Sequence, residues 1–591
     1  MFVRYTTRKK NGKEHRYYSL VENRRVTGGR VIQRPVLYLG EINDSQQEAW
    51  HKTIEIFEEG QARPRTVALF PEDRVGAVAD PDIVRIRLNQ LSLHRPRQWG
   101  GCWLAGQLWE QLGLHEFWAA RLPPSRKGTR WEGVLQTLVT YRLLDPGSEW
   151  RLYRHWFDHS AMADLLGADA GLVEIHKLYA CHELLLEHKR ALFSHLTQRW
   201  KDLFNAKFEV LLYDLTSTYF ESDPPFAQGD KRRYGYSRDK RSDCVQVVIA
   251  LIVTPEGFPL AYEVLAGNTS DKTTLTDFLK KIETQYGQAQ RIWVMDRGIP
   301  TEAVLQQMRE SQPPIQYLVG TPRGRLSQYE QQFLDQPWQV VREGVSVKLL
   351  TQGQELYVLA ESKDRVNKER AMRWRQLKGL CRRLKALQQQ KLKRDALLKK
   401  LGAALHEFPV AARLIQTTVA PRSAQLSFTL RQDKLAQARQ REGRYLLRSN
   451  VTQGRPPEEL WQFYIQLTEV EAAFKNLKND LALRPIHHQL EQRIEAHIFI
   501  AFLAYCLQVT LRRRLRDLAP GLTPRAVLEK FATIQMLDVH LPTTDHRTVE
   551  LRRYTQPEAD VRVLLQRLKL EFPPQPPPKI TKPQSGEQPG L

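Results

Sequence analysis

Residues 464–478 read YIQLTEVEAAFKNLK, and the rest of the chain is organised around them. Just upstream, Pro456-Pro457-Glu458-Glu459 predicts a helix start, with proline in the first turn and acids at the positive end of the helix dipole. Tyr464, Leu467, Glu471, Phe474 and Lys478 then follow at steps of three, four, three and four, which predicts all five on one face of one helix. That face is apolar except for Glu471 in its middle and Lys478 at its far end. A carboxylate on a core-facing stripe is costly to bury unless it is paired or holds a metal. A salt bridge to Lys475 or Lys478 along its own helix is the bland account of Glu471.

Two further acids stand in apolar settings. Asp214 lies inside VLLYDLT, where strand alternation leaves both faces apolar, so a central strand carries a carboxylate in its buried section. Asp296 ends RIWVMD and is followed by Arg297 and Gly298. The carboxyl end of a buried strand is where ligand sites form in open α/β sheets. Taken singly, an aspartate at a strand end is more often a turn former or a helix cap. Joint occurrence changes the balance, because three carboxylates on such a sheet and helix can hold a pair of Mg²⁺ ions about 4 Å apart, the arrangement for in-line displacement at phosphorus. Oxygen-only ligands suit Mg²⁺ or Mn²⁺ rather than zinc. Neither an HExxH nor a GxxxxGK[ST] motif occurs, so zinc protease and P-loop ATPase readings lack support. His487, His488 and His497 follow the helix and read as ordinary core or surface histidines; a role for His497 in orienting the site helices is the sharper alternative.

The order of elements around these acids predicts a mixed α/β fold. KFEVLLYDLTSTYFE, DCVQVVIALIVT and FPLAYEVLAG read as strands, the last two joined by a Thr254-Pro255-Glu256-Gly257 turn. NTSDKTTLTDFLKKIETQYG reads as a helix capped at Ser270 and Asp271, RIWVMD as a buried parallel strand, TEAVLQQMRESQ as a helix and PIQYLVGTP as a strand. An antiparallel meander feeding crossovers gives a mixed sheet covered by helices. The whole chain then divides as follows. Residues 1–60 form a small β/α region, with a basic hairpin turning at Gly28-Gly29 and a helix from Asp44. Residues 61–95 are a linker, and 96–205 a helical domain for DNA binding or dimerisation. Residues 206–320 are the first part of the core, 321–455 an insertion with a basic helical stretch, 456–515 the second part of the core, 516–572 a C-terminal segment, and 573–591 a disordered tail rich in Pro, Gln and Lys. Leu377, Leu380, Leu384 and Leu387 make a seam too short for a long coiled coil.

Charge names the partner class. The 591 residues carry a formal net charge of +23, the footprint of a polyanion binder, with nucleic acid as the leading partner and an anionic membrane as the alternative. Between Glu361 and Gly402 fifteen Lys and Arg stand against four acids. No signal-peptide core is found, and the apolar stretch from Leu490 to Leu511 is too short and too basic at its end to span a membrane. The five cysteines are scattered singly, with no CxxC pair, which fits a reducing cytoplasm.

These residues together resemble a known family. Tyr464, Leu467, Glu471 and Lys478 are similar to the Y-R-E-K signature of DDE transposases of bacterial insertion sequences. GRYLLRSN, LRPIHH and RIEAHIFIAFLA extend the resemblance around the helix, and DLTSTYFE, GFPLAYEVLAGNTSD and VMDRGIPTE resemble the first two acidic motifs. The resemblance covers residues 206 to about 510. It implies an RNase H-like catalytic core interrupted by an inserted domain at 321–455. It also implies that Asp214, Asp296 and Glu471 are the catalytic acids and ligands of two Mg²⁺ or Mn²⁺ ions. Water would then cut a phosphodiester at the element's end, and the freed 3′-OH would attack target DNA, without ATP or any other nucleotide cofactor. Tyr464, Lys478, Lys475 and Arg297 would contact DNA. The signature arginine is Leu467 here, so that contact is missing or supplied elsewhere, with Lys475 and Arg484 as replacements. In relatives an insertion-domain Trp stacks on a flipped base; Trp338 and Trp374 are the candidates, with core packing as the bland account. The implied partners are terminal inverted repeats and target DNA, and a homodimer that joins two ends in concert. The implied setting is the bacterial cytoplasm, on the nucleoid. A nuclease that cuts without joining, and a transposase-derived protein that only binds DNA, are the rival readings.

Overall fold

The computed structural model describes residues 2–581 apart from 11–12, 26–30, 42–52, 57–64, 69–84, 127, 222–225, 227–228, 238, 240, 270–278, 280–281, 283, 285–290, 391, 422–424 and 545. The chain forms two compact units, Met1–Leu184 with Leu507–Leu591, and Leu185–Cys506.

The first unit opens with an antiparallel sheet of β1 (Phe2–Lys10), β2 (Lys13–Arg25) and β3 (Val31–Glu41), in that order. β2 and β3 are the expected hairpin, and its Gly28-Gly29 turn lies outside the described residues. β1 falls in the stretch from residue 1 to about 45 expected to form short strands. The helix expected from Asp44 is corrected in part. Thr53–Ile56 is a strand, β4, paired with β5 (Arg65–Ala68), while residues 44–52 lie outside the described residues. Thr-Ile-Glu-Ile is β-branched and alternating, so strand preference wins once a partner edge is present. After β6 (Ser92–Gln98), helices Gly100–Gln111, Trp131–Leu144 and Ile175–Glu183 enclose a core that includes Leu104, Leu108, Trp109, Leu135 and Val139.

The second unit is built on a nine-stranded sheet. β7 (Val210–Phe220), β8 (Val245–Val253) and β9 (Pro259–Ala266) run as an antiparallel meander. The β8–β9 turn closes with Thr254 N–H donating to Phe258 O at 2.8 Å, and Gly257 takes φ +89°, a left-handed conformation that favours glycine there. Every residue of β8 is buried, as expected of a strand covered on both faces. β10 (Ile292–Met295) lies parallel to β7 on its other side, and β11 (Gln316–Gly320) parallel to β10. The helix cap expected at Ser270 and Asp271 falls outside the described residues.

The expected insertion extends this same sheet. β12 (Gln339–Arg342), β13 (Val345–Gln352) and β14 (Glu355–Ser362) continue it outward and, with β17 (Arg444–Ser449), give the order β12-β13-β14-β17-β11-β10-β7-β8-β9. Helix Lys363–Gln389 then folds back on Arg394–Glu407, burying Leu380, Leu384, Leu387, Leu397 and Leu401 between them and the hairpin of β15 (Ile415–Val419) and β16 (Leu426–Leu430). β17 (Arg444–Ser449) sits between β14 and β11, antiparallel to both. An ion cluster, buried at Arg448 and Glu355 and half-exposed at Glu302, ties this junction together. The Arg448 guanidinium lies 2.6 Å from Glu302 and 2.7 Å from Glu355, and Arg309 also donates to Glu355 at 2.6 Å. Burial alone would lower the pKa of Arg448, but Glu302 and Glu355 outweigh it and raise the value.

Helix Glu491–Leu518 is long and apolar enough by composition to cross a membrane, yet 94% of its apolar window is buried inside the protein, as in a core helix. Back in the first unit, β18 (Gln535–Pro542), β19 (Thr548–Tyr554) and β20 (Lys579–Thr581) join β6 in the order β20-β19-β18-β6. The expected disordered tail is therefore corrected at its start: Lys579–Thr581 pairs with β19, and residues 582–591 lie outside the described residues. Arg97 on β6 is fully buried. It donates twice to Asp538 on β18, at 2.9 and 2.7 Å, and its Nε lies 2.9 Å from Asp164.

Candidate active site

β7 and β10 set the first two acids side by side. Met295 pairs with Tyr213, so the next residues, Asp296 just past the end of β10 and Asp214 within β7, stand at the same level. Strands in register are about 4.8 Å apart, close enough for two carboxylates to share a cation. Asp214 is half-buried in the body of β7, whereas Asp296 is exposed just past the end of β10 and accepts a hydrogen bond from Arg297 N at 2.7 Å.

The third acid comes from a helix packed on β7 and β8. The single helix expected from Pro457 onward is corrected to three segments: Pro457–Ile465, then Leu467–Lys475 after a break at Gln466, then a π-helical turn over Asn476–Asp480. Leu467, Val470, Ala473 and Phe474 make the buried face. Glu471 does not sit in the core stripe. It is exposed at the edge of that face, where it lines a pocket of about 300 Å³ with Asp214, Thr216, Lys475, Lys478 and Arg484. The helix therefore escapes the burial penalty that made Glu471 conspicuous.

Of the two bland partners for Glu471, Lys475 and Lys478, the second is engaged elsewhere. The wide π turn breaks the three-four spacing, and Lys478 Nζ pairs with Asp239 of the β7–β8 connection at 3.1 Å. Arg484 pairs with the same carboxylate. Burial raises the Asp239 pKa, but Arg484 and Lys478 more than offset this and hold it below the usual carboxylate range. Lys475 is exposed on the pocket rim. Leu467 is buried against the sheet, which leaves no room for a guanidinium there.

Asp296 opens into a second, neighbouring pocket of about 460 Å³, with Arg297, Arg365, Arg444, Tyr445 and Tyr464 among its walls. Tyr464 lies over the backbone of Gly320 and stacks on Tyr445 with ring centroids 6.1 Å apart. Burial, and after it the Asp296 charge, push its phenol well up, which places Tyr464 within electrostatic reach of that acid. Arg365 sits 4.7 Å over the Tyr445 ring while paired with Glu369, and Arg444 is paired with Glu361. Arg365, Arg444 and Tyr445 were not singled out from sequence, although the last two lie in the quoted GRYLLRSN; only the fold brings them beside Asp296. The structure thus joins Asp214 to Glu471 in one pocket and Asp296 to Tyr464 and Arg297 in the next.

Two tryptophan readings are revised. Neither Trp338 nor Trp374 is packed in the core: they are 39% and 67% exposed. Trp338 carries Lys348 and Arg444 at 5.1 and 5.6 Å from its ring. His497 is buried with its ring 5.2 Å from that of His488, and neither lines the two pockets.

Comparison with known proteins comes last. Residues 206–507 match the transposase DDE domain family, and residues 3–68 match the N-terminal domain of the IS1634 family of transposases. No curated protein matches the chain. Among solved structures, a cryo-EM structure of a piggyBac transposase synaptic complex with hairpin DNA aligns at 10% identity with a TM-score of 0.34, covering 75% of this chain and 82% of that one.

Proposed function

The chain belongs to the DDE-domain transposase family, and we propose that Asp214, Asp296 and Glu471 are its catalytic acids. It is a DNA transposase of an insertion sequence, an enzyme of metal-dependent DNA cleavage and strand transfer. The observation that carries the assignment is the register of β7 and β10, which sets Asp214 beside Asp296 while Glu471 faces Asp214 across one pocket. Residues 206–320 and 456–515 are read as the two parts of an RNase H-like core, with 321–455 inserted.

The donor set fits a hard divalent cation: three carboxylates and no sulfur or imidazole in either pocket. Asp214, Asp296 and Glu471 would hold two Mg²⁺ or Mn²⁺ ions, which supply charge stabilisation at phosphorus and a nucleophile at neutral pH. The protein's own part is placement. Asp214 is held within the sheet ladder, Asp296 directly follows Met295 of that ladder, and Glu471 is held by the buried face of its helix. Lys475 and Lys478 on one side and Arg297 on the other present cations to a phosphate backbone laid along the two pockets, and Tyr464 orders the wall behind Asp296. The DNA would be the element's terminal repeats and then target DNA, held by a homodimer on the bacterial nucleoid.

The test is cleavage of end DNA and, separately, strand transfer from pre-cut ends. Alanine at any of the three acids should abolish both while DNA binding survives. Cleavage that persists in all three variants overturns the assignment. Cleavage by the unaltered protein with no joined product from pre-cut ends would favour a nuclease that does not join.

A further inference from the structure

Asp239 pairs with two of the cations on the rim of the Asp214–Glu471 pocket without belonging to its walls. It lies in the long connection between β7 and β8, in the run YGYSRDKR, which carries three basic and two aromatic residues. Lys478 Nζ donates to both its carboxylate oxygens, at 3.1 and 3.3 Å, and Arg484 pairs with it while donating to Asn479 Oδ1 at 3.1 Å. The cluster is largely withdrawn from water, with side-chain exposures of 12% for Asp239, 9% for Lys478 and 23% for Arg484. A buried lysine holds to the nearest carboxylate, since leaving its charge unpaired is strongly unfavourable. Besides Asp239, two carboxylates line the same pocket as Lys478: Asp214, and Glu471 on its own helical run.

We propose that Asp239 is a positioning residue that draws Lys478 and Arg484 away from Glu471, so that the glutamate stays available to a divalent cation while the two bases stay at the pocket rim. A lysine on Glu471 would neutralise one of the ligands and compete with metal by Coulomb attraction. Asp239 prevents this with a partner supplied from outside the acid pocket. The π turn at Asn476–Asp480 serves the same end, because it swings Lys478 off the line through Glu471. The inference rests on the reading of Asp214, Asp296 and Glu471 as metal ligands.

The test measures Mn²⁺ binding to the full-length protein without DNA, by calorimetry or by the loss of the free-ion paramagnetic resonance signal. Asp239→Asn keeps the shape and the hydrogen-bond acceptor but releases the lysine, and should weaken Mn²⁺ affinity about tenfold. Lys478→Met added to Asp239→Asn removes the intruding charge and should restore affinity to within about twofold. This double variant leaves only Arg484, whose side chain is 23% exposed, without its carboxylate, so it keeps the test decisive if the single variant folds poorly. Asp243→Asn takes the same charge from the same connection without touching Lys478, and should leave affinity unchanged. Equal weakening by Asp239→Asn and Asp243→Asn, no weakening by Asp239→Asn, or no rescue in the double variant overturns the role of Asp239. Mn²⁺ binding that survives Asp214→Ala overturns the reading of the acid site instead.

Discussion

Asp296 stands beside Asp214, one strand over, because Met295 pairs with Tyr213 in a parallel ladder. No loop conformation has to be selected to bring the two carboxylates together. Asp214→Asn, Asp296→Asn and Glu471→Gln should each lower end cleavage by at least about 10³-fold, or about 4 kcal/mol of barrier. Gel-shift affinity for end DNA should stay within a few-fold. A variant that loses binding and cleavage together would point to a role in DNA contact rather than chemistry.

Gly320 closes β11 directly under the Tyr464 ring, and a Cβ there would collide with the Tyr464 hydroxyl. Gly320→Ala should cost about 1–3 kcal/mol in urea unfolding, the usual penalty of overpacking. Tyr464→Phe removes the colliding oxygen and should recover part of that loss, so the two changes should be non-additive.

Arg448 joins Glu302 at the start of helix Glu302–Glu310 to Glu355 on β14. Arg448→Met leaves the buried Glu355 short of a partner and should destabilise the second unit by about 3 kcal/mol. The same cluster predicts an acid response. Arg448 outweighs burial and holds the Glu302 carboxyl down to about 2. A carboxyl lowered on folding stabilises above its unfolded value, about 4.3, and loses that contribution as pH falls towards its folded value. Unfolding midpoints should therefore drop between those two values, less steeply in Glu302→Gln.

DNA affinity should fall steeply with salt, since released counterions drive the binding. Arg297→Ala should lower the slope of log K against log salt by about one if the exposed guanidinium beside Asp296 meets a phosphate. An unchanged slope would remove Arg297 from the interface.

The three acids and the meander of β7, β8 and β9 were legible because they are local signals: an acid in an apolar run, alternating strands, a turn with glycine. The position of Glu471 was read too literally. Its three-four spacing with Tyr464 and Lys478 assumes one unbroken helix, and the break at Gln466 and the π turn after Lys475 undo that assumption. The Asp239 pair with Lys478 and the pocket of Arg365, Arg444 and Tyr445 were hidden for another reason. Each depends on contacts between residues far apart in the chain, which neither periodicity nor spacing records. Thr53–Ile56 shows the opposite error, where helical expectation overrode a β-branched stretch awaiting a partner strand.

β17 has a consequence for the order in which the molecule can assemble. Until Arg444–Ser449 arrives, β11 ends one half of the sheet and β14 ends the other, each with an unpaired row of backbone donors and acceptors. Such open edges invite pairing with other chains. Closing them requires contacts across the whole inserted segment, the kind of long-range step that slows folding. On a ribosome the core strands would wait, half-zipped, for a single six-residue strand to be made, and Glu471 is translated only after it. The nascent chain is thus without its third acid until the sheet has what it needs to close.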